Sequence, residues 1–108
     1  MISLKNTLEA MMNKLKSIEQ RSLVQEKMNF SGNWTAPHDG IATCCRRAKS
    51  NGAYIFVKDA TLDTYVGMCT ISNVEGYGSV CFPVVEGHNY VFVEGGCYES
   101  RDWYSYYQ

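Results

Sequence analysis

His38 and Asp39 stand a few residues before Cys44 and Cys45. A thiol-based hydrolase needs those types: a cysteine nucleophile, a histidine base, and a carboxylate or amide that orients the histidine within hydrogen-bond reach. Each also has a plainer reading. Pro37-His38-Asp39-Gly40 is turn chemistry, and cysteines in a strand behave as small buried hydrophobes. No catalytic residue is assigned. A second candidate is the aromatic ending, where Tyr98, Trp103, Tyr104, Tyr106 and Tyr107 offer rigid amphipathic rings. Such rings stack on sugars or fill a partner's pockets, and equally they pack as a last strand, in the core or at the axis of an assembly. Arg46, Arg47 and Lys49 form a short basic run. It reads as a solvated strand end or as a contact for an acidic surface or glycan.

The five cysteines, Cys44, Cys45, Cys69, Cys81 and Cys97, contain no C-x-x-C pair, and His38 and His88 fall in turns. A zinc site needs ligands at matched spacings, so no metal and no cofactor is expected. Reduced, structural thiols are the favoured reading for these cysteines, with one or more disulfides as the alternative. With a net charge of −1 the chain lacks the basic surplus that neutralises phosphates, and nucleic acid is not expected as a partner. No run of apolar residues is long enough to span a bilayer, and Lys5, Asn6, Glu9, Asn13 and Lys14 break the pattern of a signal peptide. Neither membrane insertion nor a secretory leader is expected.

The elements that must position these residues divide at about residue 28. Leu4, Leu8, Met11, Leu15 and Ile18 follow a 4-3-4-3 spacing, the heptad rhythm of a coiled coil, and predict a helical stalk over residues 1–27. In a parallel register Lys14 faces Glu19 and Arg21 faces Glu26 of a neighbouring copy, both pairs of opposite sign. Leu15 at one seam position with Ile18 at the other leans toward three or four strands. An ordinary amphipathic helix packed on its own domain is the competing reading. The stripe is narrow, and Ser3, Asn6, Glu9, Asn13, Lys16, Ser17 and Gln20 on the other faces favour the coiled coil. Leu23 and Val24 do not fit the seam and point instead to contact with the second half.

Residues 28–108 turn to glycine, aromatic and β-branched types. Strands are predicted at 29–34, 40–48, 53–59, 64–71, 79–85, 89–94 and 98–107, separated by turn residues such as Ser50-Asn51-Gly52 and Glu86-Gly87-His88. Seven short strands at this spacing read as an antiparallel sandwich or jelly roll. Tyr54-Ile55-Phe56-Val57, Val80 to Val85 and Tyr90-Val91-Phe92-Val93 are apolar on both phases of the alternation, so both faces of those strands are expected to be covered, one by the core and one by another copy.

Asn33-Trp34-Thr35-Ala36-Pro37-His38-Asp39-Gly40-Ile41 resembles the W-x-A-P-x-D-G opening of small jelly-roll heads at the tips of bacteriophage tail-fibre, receptor-binding and head-fibre proteins. Phe82-Pro83-Val84-Val85-Glu86-Gly87-His88-Asn89-Tyr90 is similar to their later F-P-V-x-x-G-x-x-Y segment. Such heads resemble the C1q and tumour-necrosis-factor trimers. The resemblance covers about residues 30–108; the Arg101–Gln108 ending matches no motif of that group. It implies a mostly β homotrimer, a jelly-roll head behind a coiled-coil stalk, with no enzymatic activity. The expected role is virion structure or attachment to a host cell-surface glycan or protein, among other virion proteins, after synthesis in a bacterial cytoplasm. A cellular carbohydrate- or protein-binding sandwich module is the alternative.

Overall fold

The heptad stretch folds as the helix α1, Leu4–Glu19, in a computed structural model that describes residues 4–19, 22–98 and 101–108, with the side chains of 14–19 outside that description. Leu4, Leu8 and Met11 of the expected seam are exposed by 76%, 51% and 58%, so the β strands do not cover the stripe. Leu15 and Ile18 lie in the same helix, with side chains outside the described set. The helix expected to run to residue 27 is shorter by its last part. Leu23–Met28 is instead the strand β1, and the chain's one described helix ends before it. Leu-Val-Gln-Glu-Lys-Met has fair helix propensity, but pairing with the last strand overrides it. Leu23 lies opposite Tyr107 and Met28 opposite Asp102. Val24 and Met28 turn inward onto the core.

Seven further strands follow: β2 Gly32–Thr35, β3 Gly40–Arg47, β4 Ala53–Asp59, β5 Thr64–Ile71, β6 Tyr77–Val84, β7 Asn89–Gly95 and β8 Arg101–Tyr107. β4 and β5 have the bounds read from the sequence; the stretch expected as one strand over 29–34 is an irregular connection through the buried Phe30 followed by the short β2.

The pairing has a simple rule. The first strand pairs with the last, the second with the seventh, the third with the sixth and the fourth with the fifth, all antiparallel. A chain doubled back on itself in this way and then rolled joins β8 to β3 and β7 to β4. The result is two sheets, β1-β8-β3-β6 and β2-β7-β4-β5, the double-sheet jelly roll. Mostly β, antiparallel and in two layers, it is the fold class that turn spacing and alternation predicted.

The layers enclose Phe30, Ala42, Cys44, Ile55, Val57, Phe82, Tyr90, Phe92 and Tyr104, among others. Phe30 stacks on Phe92 with ring centroids 4.8 Å apart, and Trp34 meets Tyr104 edge-on at 4.9 Å. Of the strands expected to be covered on both faces, only one phase is buried within the chain. Tyr54 and Phe56 are half-buried on the outer face of the second sheet, and Val93 there is 48% exposed. Gly40 lets β3 and β8 come together: a Cβ at that position would collide with the Ser105 carbonyl oxygen.

Candidate functional site

The aromatic ending does not act as one surface. Along β8 the alternation sends Asp102, Tyr104 and Tyr106 inward and Trp103 and Tyr107 outward. Tyr104 is wholly buried, and its hydroxyl donates to the His38 carbonyl and accepts from the His38 amide. Tyr106 is buried, with its hydroxyl 2.6 Å from Glu26 Oε1 and its ring stacked on His38 at 4.4 Å. These two are packing residues, which corrects their place among the recognition candidates. Trp103 and Tyr107 face solvent on the outer side of β1-β8-β3-β6, and Tyr98 lies before β8, outside the sheet.

The thiol-nucleophile arrangement does not assemble. Cys44 is fully buried, and its thiol is pushed up to about 12 by burial, with Asp102 adding to the effect. His38 lies before the start of β3, roughly 13 Å of extended strand from Gly40 to Cys44 intervening at about 3.3 Å per residue, and its ring is taken by Tyr106. A thiol held protonated has little nucleophilic character. Burial also raises the Cys97 thiol.

Arg46 is where sequence reading went furthest astray. It is 1% exposed and reaches from β3 to the adjacent β8 within the β1-β8-β3-β6 layer, the front sheet, where Asp102 is fully buried, with Nη1 2.5 Å from Oδ1. Its Nε donates to Glu94, and its Nη2 donates to the Phe30 carbonyl at 3.1 Å, while Asp102 Oδ2 accepts the Phe30 amide at 2.8 Å. Burial works against the guanidinium charge, but the bonds to Asp102 and Glu94 outweigh it and raise the arginine above its ordinary value. Through Asp102 and Glu94, Arg46 fastens the connection between β1 and β2 to both sheets.

The rest of the basic run takes part in something else. At the same end of β3, Cys45, Arg46, Arg47, Tyr77, Tyr98 and Arg101 line a cleft of about 260 Å³. Register explains the gathering: Arg47 lies opposite Tyr77 on β6, and Cys45 lies opposite Arg101 on β8. Tyr98 is brought in by its amide, which donates to the Arg47 carbonyl at 2.8 Å. The Arg47 guanidinium sits 5.8 Å from the Tyr77 ring centre and 5.6 Å from that of Tyr98, and Lys49 approaches the Tyr98 ring at 5.5 Å. Glu75 pairs with Arg47 and accepts the Tyr98 hydroxyl at 3.2 Å. Its backbone has φ +69°, a left-handed conformation that costs a non-glycine residue about 1–2 kcal/mol. The neighbouring hydrogen bond from its amide to the Ala48 carbonyl holds it there.

No family model matches the sequence, and no curated relative does. Among solved structures the chain is similar to a carbohydrate-binding module of a Cellvibrio mixtus lichenase in complex with cellotriose. The identity is 15% and the TM-score 0.42, over 80% of this chain and 88% of that one. A Clostridium stercorarium carbohydrate-binding module in complex with cellobiose aligns at 14% identity and a TM-score of 0.40, over 82% and 81%. Bacillus endospore appendages, which form disulfide-linked pili, align at 14% and 0.40, over 80% and 86%. The jelly-roll assignment rests on the strand pairing.

Sequence reasoning missed Tyr77 and Arg101 as neighbours of Tyr98, because only the β3-β6 and β3-β8 registers join them. It also missed Asp59, which is 2% exposed and accepts from the Thr61 and Leu62 amides while lying 2.7 Å from His88 Nδ1. Burial pushes this carboxyl up, yet the hydrogen bonds from His88, Leu62 and Thr61 prevail and hold it below the usual carboxylate range. A depressed carboxyl contributes stability that is complete above the unfolded value, about 3.9, and is lost as pH falls through the folded value. The urea midpoint should therefore drop as pH falls below about 4. Asp59→Asn should be less stable at pH 7 and show a flatter acid limb. An unchanged acid limb in that variant would show that Asp59 makes no pH-dependent contribution.

Proposed function

We propose that the chain is a non-enzymatic, self-associating attachment protein. In this reading α1 is a parallel three-stranded stalk, and the jelly roll is a head that binds a glycan or protein on a surface, as in the fibre of a virion. The stalk would be α1, Leu4–Glu19, and the head would begin with β1 at Leu23, since β1 belongs to the sandwich. The observation that supports it is the seam of α1: Leu4, Leu8 and Met11 lie on one stripe, and all three are exposed. A stripe of this spacing with no cover from its own domain is what a helix presents to other copies of itself. Tyr107, Leu23 and Ile41, exposed on the front sheet at the end where β1 begins, and Trp103 further along β8, extend the apolar surface beyond the stalk.

Light scattering tests the assembly. The intact chain is expected at three times its 12.2 kDa mass, and Leu8→Asp combined with Leu15→Asp should yield single chains. A clean monomer of the unaltered chain at micromolar concentration would refute the stalk.

The second reading is a monomeric or dimeric carbohydrate- or protein-binding module of cellular origin. It is favoured by the cleft at Arg47, Tyr77, Tyr98 and Arg101, which one chain completes by itself. A glycan array probed with the intact chain and with the Leu8→Asp, Leu15→Asp variant separates the two. Equal binding by both forms supports the module, and binding that needs the assembly supports the fibre.

A further inference from the structure

The cleft lies at a particular place on the head. The chain enters β1 at Leu23, opposite Tyr107, and β3 begins beside it, with Gly40 opposite Tyr106. β3 then runs away from that end, and Arg47 closes it opposite Tyr77. Eight residues of strand put the cleft roughly 23 Å from the end that receives the helix, at about 3.3 Å per residue. In a stalk-and-head protein this is the outward tip.

The chemistry of the cleft is selective. Its two rings, Tyr77 and Tyr98, are 66% and 41% exposed. Arg47 is already committed to Glu75 and to both rings, and Arg46 is offset from below by Asp102 and Glu94. Arg101 is different: it is exposed, lines the cleft, and has no carboxylate partner among the described residues. Lys49 adds a second charge at the rim over Tyr98. A guanidinium with no carboxylate partner among the described residues, beside one ring fixed through its hydroxyl and a second met by Arg47, matches a carboxylate carried on a rigid ring with apolar C–H faces. The volume, about 260 Å³, suits one or two sugar rings.

We infer that this tip cleft binds a carboxylate-bearing sugar, a uronic acid or similar acidic residue of a surface glycan, with Arg101 taking the carboxylate and Tyr98 and Tyr77 flanking the ring. The inference deepens the reading of the head as a glycan-attachment module and rests on it. A bound carboxylate would balance Arg101 as Glu75 balances Arg47. Tyr98 is held by its bond to Glu75 and Arg47 by its ion pair with the same carboxylate, so binding orders Arg101 and the exposed Tyr77.

The test is a titration of the isotopically labelled full chain with digalacturonate and, in parallel, with neutral digalactose and tetraglutamate, followed by amide chemical shifts. Digalacturonate should shift Cys45, Arg47, Tyr77, Tyr98 and Arg101, with affinity falling as salt is raised. Arg101→Gln should weaken it tenfold or more, and Tyr98→Leu should weaken it as well. Lys58→Gln, which removes a charge on the other sheet, should leave it unchanged. Equal binding of digalactose in the cleft overturns the acidic class while leaving a glycan-binding head. Shifts confined to the Trp103 and Tyr107 face overturn the cleft and also leave a glycan-binding head. Tighter cleft binding of tetraglutamate overturns the sugar in favour of an acidic peptide. Absence of any shift with all three overturns the inference, whereas the assembly is judged separately by mass.

Discussion

Asp102→Ala is expected to destabilise the head by about 3–5 kcal/mol, the range seen when one partner of a buried ion pair is removed. Arg46 and Asp102 both have side chains wholly out of solvent, so the guanidinium left behind cannot recover its hydration. The Phe30 amide loses its acceptor in the same step, and an unsatisfied buried donor costs about 1–3 kcal/mol by itself. Glu94 still accepts from Arg46 Nε, which limits the loss. Asp102→Asn keeps the shape and one acceptor and should fall between the variant and the parent. Urea denaturation followed by circular dichroism, at one fixed protein concentration because association contributes to stability, gives the numbers. A loss under about 1 kcal/mol for Asp102→Ala would show the pair to be solvated rather than buried. If the alanine variant does not accumulate, Asp102→Asn carries the comparison.

The same pair shows what alternation encodes and what it withholds. Ala42, Cys44 and Arg46 share one phase of β3, continued by Ala48 just past its end, and the small residues on that phase mark it as the inward one. Arg46 was therefore legible as buried, although its place in an Arg-Arg-Ala-Lys run suggested a solvated strand end. Its partner was not legible, because Asp102 is 56 residues away and only the β3-β8 register brings it opposite Cys44. The sandwich was visible in the turn residues, which set β4 and β5 to the residue. The boundary between helix and β1 was not. Leu23–Met28 has neither turn signal nor strong β composition, and its state is decided by pairing with β8 at the other end of the chain. The cleft was half legible: Arg47, Lys49 and Tyr98 stood out as residue types, while Tyr77 and Arg101 enter only through pairing.

The two neighbours Trp103 and Tyr104 should respond in opposite ways to the same truncation. Tyr104→Ala removes a ring that is 0% exposed, contacts Trp34 at 4.9 Å and Tyr106 at 4.7 Å, and holds both backbone groups of His38. Large aromatic-to-alanine changes in cores cost about 3–5 kcal/mol, and the cavity here opens between the two sheets, where neither can collapse far without breaking its ladder. Tyr104→Phe keeps the ring and loses the two hydrogen bonds, for about 1–2 kcal/mol. Trp103→Ala, on the outward phase and 47% exposed, should change the stability of a single head by no more than about 0.5 kcal/mol. Its effect should appear instead in the mass measured at low concentration, if the front sheet carries part of the contact between copies. A truncation at Trp103 that unfolds the isolated head as severely as the one at Tyr104 would place the indole in the core and remove the front sheet from the proposed contact surface. A Trp103→Ala chain that is both stable and fully assembled would confine association to α1.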